Sequence, residues 1–240
     1  MADARVDAPR TARERARAEL TREIKAEARR QLAEAGADGL SMRAVAKALG
    51  MVSSAVYRYY PSRDDLLTAL IIDAYNALGA AAEQAIAAPA GADTTARARW
   101  IAACRAIRDW ARANPHEYAL IYGSPVPGYR APQATVGPAS RVPLAFVGLL
   151  VSAVASGEFS SLPPEVPVEG ELADQAAALG AAIPAPGVPP DALVRAVVAW
   201  TQLFGMISFE LFGQFVGSFD PPDAFFAHTV AQFATFVGLR

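Results

Sequence analysis

Apolar side chains recur every third or fourth residue along most of this 240-residue chain, and no stretch alternates with the two-residue period of a strand. The pattern predicts an all-α fold. Leu20, Ile24, Ala28 and Leu32 step by four through a run rich in Ala, Glu and Arg, which predicts an amphipathic helix from about Arg13 to Ala35, ended by Gly36 and Gly39. Ser41 is suited to cap a short helix, Met42–Leu49, with Val45, Ala46 and Leu49 inward and Gly50 as its stop. The turn Gly50-Met51-Val52 leads into a second short segment, Ser53–Tyr60. Its i and i+4 residues Val56 and Tyr60 face in, leaving Ser54, Tyr57, Arg58 and Tyr59 toward solvent. Pro61 closes it. Ser62, with Asp65 three residues on, resembles a capping box and opens a long helix from Arg63 to about Ala87, striped by Leu66, Leu67, Leu70, Ile71 and Tyr75.

Past Pro89-Ala90-Gly91, helical patterning resumes from Thr94 to Ala113, with Trp100, Ile101, Ile107 and Trp110 as its large apolar residues. Asn114-Pro115 breaks it and begins a shorter helix, His116–Tyr122; the proline-rich stretch Gly123–Pro138 reads as a loop. A further helix is expected over Ala139–Ser156. Residues 157–190 form a long Pro-rich connection with a short helix near Glu171–Leu179, and a connection of this length is functional or mobile. Asp191–Phe215 is apolar nearly all round and must be covered on several sides. Asp220, followed by two prolines, is the expected cap of a last helix, Ala224–Val237. Residues 1–12 carry no period and read as a flexible arm. The expected organisation is therefore an N-terminal three-helix bundle over 13–62 and a larger helical domain over 63–240.

Charge sharpens this division. Residues 1–65 hold 13 Lys/Arg against 10 Asp/Glu, net +3, whereas the remainder holds 9 against 14, net −5. A basic end on an acidic body suits a nucleic-acid-reading head attached to a body with another task. The lone cysteine, Cys104, cannot form an internal disulfide and reads as a small buried hydrophobe; with a charged N-terminus lacking an apolar leader, a cytoplasmic setting is expected. Uninterrupted apolar runs fall short of the roughly 20 residues that span a bilayer, so no membrane partner is expected. His116 and His228 stand far apart with no ligand spacing, which predicts no metal, and no cofactor motif is present. Without a nucleophile–base pair, phosphate loop or carboxylate dyad, an enzyme is not expected.

Two short helices joined by a tight turn form a helix-turn-helix, in which the second helix enters the major groove of double-stranded DNA. Ser53, Ser54 and Ala55 sit at its start, where hydroxyls can bond base edges and a methyl can touch thymine. Ser41, Arg43, Tyr57, Arg58, Tyr59 and Arg63 are the candidates for backbone contact. So few long basic side chains bind weakly as one copy, which points to a homodimer on a pseudo-palindrome with half-sites roughly 34 Å apart. The same residues resemble the DNA-binding domain of the TetR family of transcriptional regulators. The family pattern is met by Ser41, Arg43, Val45-Ala46, Gly50-Met51-Val52, Val56-Tyr57-Arg58-Tyr59-Tyr60 and Ser62-Arg63-Asp64-Asp65-Leu66. Where the family caps its recognition helix with serine, this chain has Val52, and Ser53 is expected to cap instead.

The resemblance implies a body that binds a small-molecule effector and dimerises through its last two helices. Asn114–Tyr118 and Trp200–Gly205 are similar to the C-terminal subtype named for a Trp-His-Gly signature, with Phe204 in place of its histidine. Trp100, Trp110, Tyr118, Tyr122, Phe146, Trp200 and Phe204 are candidates to line a ligand cavity, although aromatic residues at such spacing also pack a plain core. Gly205 and Ser208 permit close helix approach, and with Phe212, Phe225 and Phe233 they are the candidate dimer contacts. The expectation is a ligand-responsive regulator, a repressor released from DNA by a small apolar or amphipathic molecule, with the long helix from Arg63 as its lever. The alternative is a DNA-binding adaptor whose body binds a protein.

Overall fold

The computed structural model describes residues 11–87, 94–161 and 166–240. The described residues hold ten α-helices: α1 Ala12–Ala35, α2 Met42–Ala48, α3 Ser53–Tyr57, α4 Arg63–Ala87, α5 Ala96–Ala113, α6 Pro115–Tyr122, α7 Val136–Ser156, α8 Gly170–Ala182, α9 Pro190–Leu211 and α10 Asp223–Phe236. The all-α expectation holds; the only extended pairing among them is the single bridge between Phe159 and Leu239.

Local chemistry explains most of the helix ends. A reciprocal capping box starts α1: the Glu14 N–H donates to the Thr11 hydroxyl oxygen at 3.1 Å and the Thr11 N–H to the Glu14 carboxylate at 2.9 Å. Thr11 and Ala12 thus belong to the cap and first turn rather than to the expected arm, whose other residues lie outside the described ones. The Ser41 hydroxyl accepts from the Ala44 N–H as expected. Ser53 does not cap α3. Val52 occupies the cap position with no side-chain bond, Ser53 is the first helical residue, and the helix stops at Tyr57 rather than Tyr60. Helix α7 begins earlier than expected, taking Pro138 into its first turn, where the missing N–H removes no helical bond. The segment expected as a largely irregular connection contains a full 13-residue helix, α8. Helix α9 ends at Leu211 rather than Phe215, followed by Gly213 at φ 78°, a left-handed turn that favours glycine. Helix α10 is preceded by Pro222, so Asp220 is not its cap.

The chain divides into two compact units. The first runs to Ile71 and takes in Ser124–Pro132; the second comprises Ile72–Gly123 and Gln133–Arg240. The boundary falls inside α4, some way past the expected residue 62. In the first unit Ile24, Ala28, Leu32, Met42, Val45, Val56 and Leu66 are buried. Leu49, expected inward, is only half-buried, and Met42 takes the inner place instead. The Thr68 and Tyr129 hydroxyls, 2.8 Å apart, attach the Ser124–Pro132 segment to α4 within this unit.

The second unit is built on one continuous apolar core, with Trp100, Ile107, Tyr118, Phe146, Leu150, Leu193, Leu203, Ile207 and Phe226 among its members. Two arginines brace it. Arg141 of α7 donates to both Glu83 carboxylate oxygens, at 2.9 and 2.6 Å, and to the Asn76 carbonyl at 2.8 Å. It crosses α4 at Gly79, where a Cβ would stand 2.7 Å from the Arg141 Cβ. Arg108 of α5, nearly buried, grips Glu210 through two bonds of 2.7 and 2.9 Å, meets Asp223 at 2.9 Å and lies over the Phe226 ring at 4.6 Å. It thereby ties the end of α9 to the start of α10.

Among the described residues, three helices are by length and mean composition apolar enough to cross a membrane: Arg63–Ala87, Gln133–Ser156 and Pro190–Leu211. This corrects the expectation from uninterrupted runs, because scattered polar residues lower the mean of a helix less than they shorten its runs. Between 33% and 44% of each apolar window is buried inside the fold.

Candidate nucleic-acid interface and ligand cavity

The first unit holds its second short helix by a set of bonds concentrated behind it. Buried Gln31 of α1 accepts the Ser41 N–H at 3.1 Å and donates to Glu27, which fixes the start of α2. Arg63 donates through Nη2 to the Ala37 carbonyl at 2.7 Å and through Nε to the Leu40 carbonyl at 3.2 Å. Its guanidinium, expected at phosphate, is thus directed to the backbone of the α1–α2 connection. Gly50, at φ 65°, makes the turn that a side chain would strain.

In front of this scaffold, Arg43, Ser54, Tyr57 and Arg58 are exposed, and Ser41, Ser53, Ala55 and Tyr59 are half-buried. Tyr59 lies beneath Arg17 of α1, whose guanidinium carbon is 5.3 Å from the ring centre, so it is shared between the surface and α1. Two further residues were not singled out from sequence. Lys47 is exposed one turn beyond Arg43 on α2, a spacing that puts two cations on one helix face. Val52, at the cap of α3, is 70% exposed. A bare apolar side chain at the tip of a helix-turn-helix has no packing role to explain it, and it offers a contact for a thymine methyl. The periodicity signalled Lys47; Val52 stood out in the sequence only as the replacement of the family's capping serine, not as a contact residue.

The seven candidate ligand residues separate into two places and a remainder. Phe146 and Trp200 line a cleft of about 260 Å³ between α7, α8 and α9, with Ser140, Pro143, Leu144, Val147, Leu179, Ile183, Leu193, Ala196 and Val197. Trp100 stands behind it, its ring centre 4.5 Å from that of Phe146. Tyr118, Tyr122 and Phe204 instead form a packed cluster, with Tyr122 and Phe204 centres 4.3 Å apart. The Tyr118 hydroxyl donates to the Phe204 carbonyl at 2.9 Å and pairs with the Ser208 hydroxyl. Burial pushes its pKa up to about 12, against the hydrogen bond from Ser208, so it stays neutral. Trp110 packs at the edge of the core and joins neither group.

Of the candidate dimer residues, Gly205 and Phe212 are exposed. Ser208 is half-buried and engaged with Tyr118, and Phe225 packs against Phe215 and Phe219 of its own chain at 5.4 and 4.5 Å. Phe233 is half-buried. Val197, Val198, Phe209 and Phe236, not singled out from sequence, are 41–53% exposed on the same two helices.

Comparison with known proteins matches residues 24–70 to the family described as bacterial regulatory proteins, tetR family, and residues 100–233 to the tetracyclin repressor-like C-terminal domain. An HTH-type transcriptional regulator of Mycobacterium tuberculosis is 39% identical over 226 residues, covering 89% of this chain and 91% of that protein. The crystal structure of SCO4313, described as a regulatory protein, superposes with a TM-score of 0.72 at 36% identity, covering 94% of this chain and all of that one. A protein of unknown function from Rhodococcus sp. RHA1 superposes at 0.64 with 26% identity over 91% of this chain and 93% of its own.

Proposed function

Because this chain belongs to the TetR family and is a transcriptional regulator, we propose that it acts as a homodimeric repressor that leaves its operator when a small apolar molecule enters the body. The observation that carries the DNA half of this reading is the front of the helix-turn-helix. Arg43, Lys47, Ser54, Tyr57 and Arg58 are exposed there, while Gln31 and Arg63 hold the short helices from behind. Cations and the tyrosine hydroxyl serve phosphates; Val52, Ser53, Ser54 and Ala55 serve base edges.

Self-association is supported by the exposed Val198 and Phe209 of α9, Phe212 just past its end and Phe236 of α10. Two heads on a pseudo-palindrome with half-sites one helical turn apart supply the affinity that one head lacks. Release follows if the effector binds the DNA-free arrangement better than the DNA-bound one, and the loss of operator affinity equals that difference.

The test is a gel-shift titration with duplex from the chain's own upstream region against random competitor. Dimer-dependent retention is expected, weakened by Arg43→Ala and Tyr57→Phe. Retention equal to that on random duplex would remove the operator reading.

A further inference from the structure

The cleft between α7, α8 and α9 has a graded wall. Phe146, Val147 and Leu193 form a buried floor at 3%, 8% and 2% exposure, whereas Leu144, Leu179 and Val197 form a rim at 38%, 37% and 42%. Trp200, Ala196 and Ile183 lie between them. Gly180 lets α8 press onto α9, since a Cβ there would stand 3.3 Å from Leu193. Among the described residues, no charged side chain lines the cleft. Its one hydroxyl, on Ser140, already donates to the Gly137 carbonyl at 2.8 Å.

We infer that this cleft is the effector site and that it takes a neutral hydrocarbon chain rather than an ionised molecule. The inference rests on the reading that the body binds a small molecule. Size excludes larger occupants: a sphere of 260 Å³ is about 8 Å across, narrower than the roughly 10–12 Å of a helix with its side chains. Composition disfavours charge, because a carboxylate or ammonium entering this cleft loses its water and meets no opposite charge, only the Ser140 hydroxyl and the Trp200 indole N–H. A cleft with a buried floor and apolar walls removes much of an apolar chain's surface from water. At the roughly 25 Å³ per carbon implied by benzene filling a cavity of about 150 Å³, this one holds about ten carbons. The Tyr118–Tyr122–Phe204 cluster, by contrast, has its Tyr118 hydroxyl engaged with Phe204 and Ser208 and its rings in mutual contact.

The probe is a series of straight-chain 1-alkanols, from hexanol to dodecanol, titrated calorimetrically into the full chain without DNA. Affinity is expected to rise about fourfold per methylene and to flatten near decanol. Decanoate at neutral pH is expected to bind at least tenfold more weakly than decanol. Ala196→Phe and Val147→Phe, each filling the cleft, are expected to lower decanol affinity at least tenfold, with thermal melting reporting that the fold is kept. Absence of saturable binding by any alkanol, binding unchanged in both folded variants, or decanoate matching decanol would each overturn the assignment. Decanol that binds as expected but leaves operator retention unchanged keeps the cleft's chemistry and removes the release step. Failure to retain any operator duplex before alkanol is added strikes the DNA reading instead.

Discussion

The Arg63 guanidinium donates to the Ala37 carbonyl at 2.7 Å across 26 residues of sequence, joining the start of α4 to the connection before α2. A side chain that sequence places among the phosphate contacts is therefore a brace for the helix-turn-helix.

The two roles separate experimentally. Arg63→Met should lower the melting temperature and weaken binding to all duplexes while leaving the slope of log affinity against log salt unchanged. Lys47→Ala should leave melting unaltered and reduce that slope by about one, as a lost phosphate contact does. Melting curves and salt titrations on both variants check this.

Gly79→Ala sets two effects against each other. Alanine is favoured over glycine in a helix by about 1 kcal/mol. Here, however, the new Cβ meets the Arg141 Cβ at 2.7 Å, next to a backbone rather than at the loose end of a side chain. Overpacking of this kind costs about 1–3 kcal/mol. A net loss of roughly 1 kcal/mol is expected, read by denaturant unfolding.

Arg108→Met retains the stem over Phe226 but leaves Glu210, whose side chain is 11% exposed, facing only Arg112 at 3.6 Å. Removing one partner of such a pair costs about 3–5 kcal/mol, and Arg112 keeps this case at about 3. Adding Glu210→Gln should recover part of the loss, because the uncompensated charge disappears. Arg112→Ala, at an exposed position, should cost less than about 1 kcal/mol.

Hydrogen bonds from Arg141 hold the Glu83 carboxyl below its ordinary value of 4.5, against the opposing effect of partial burial. A depressed carboxylate contributes stability above its unfolded pKa and loses it as pH falls through the folded one. Glu83 is 43% exposed, so solvent screening limits the contribution to about 0.3–1 kcal/mol. Glu83→Gln should show that deficit at neutral pH and lose it progressively as pH falls below 4.5, in unfolding curves compared with the parent chain.

Much of this architecture was legible in the sequence, because helix ends are written in local chemistry. Gly36, Ser41, Gly50 and the Asn114-Pro115 break all stand where the structure ends or starts a helix. Errors arose where a residue has two local uses. Pro138 reads as a loop former yet suits a first helical turn, and Asp220 reads as a cap in a stretch that turns before the helix starts. Long-range partnerships were not legible at all. Nothing near Arg63, Arg108 or Arg141 announces that each bonds across the fold rather than to water, and the division of the aromatic residues between a cleft and a packed cluster depends on where α8 lies.

The segment Ser124–Pro132 joins the first unit although it stands between α6 and α7 in sequence. A recombinant fragment severed after Ile71 would consequently leave the Tyr129 buttress of Thr68 behind. Chimaeras that exchange heads between regulators must transplant this mid-chain piece together with the N-terminal one.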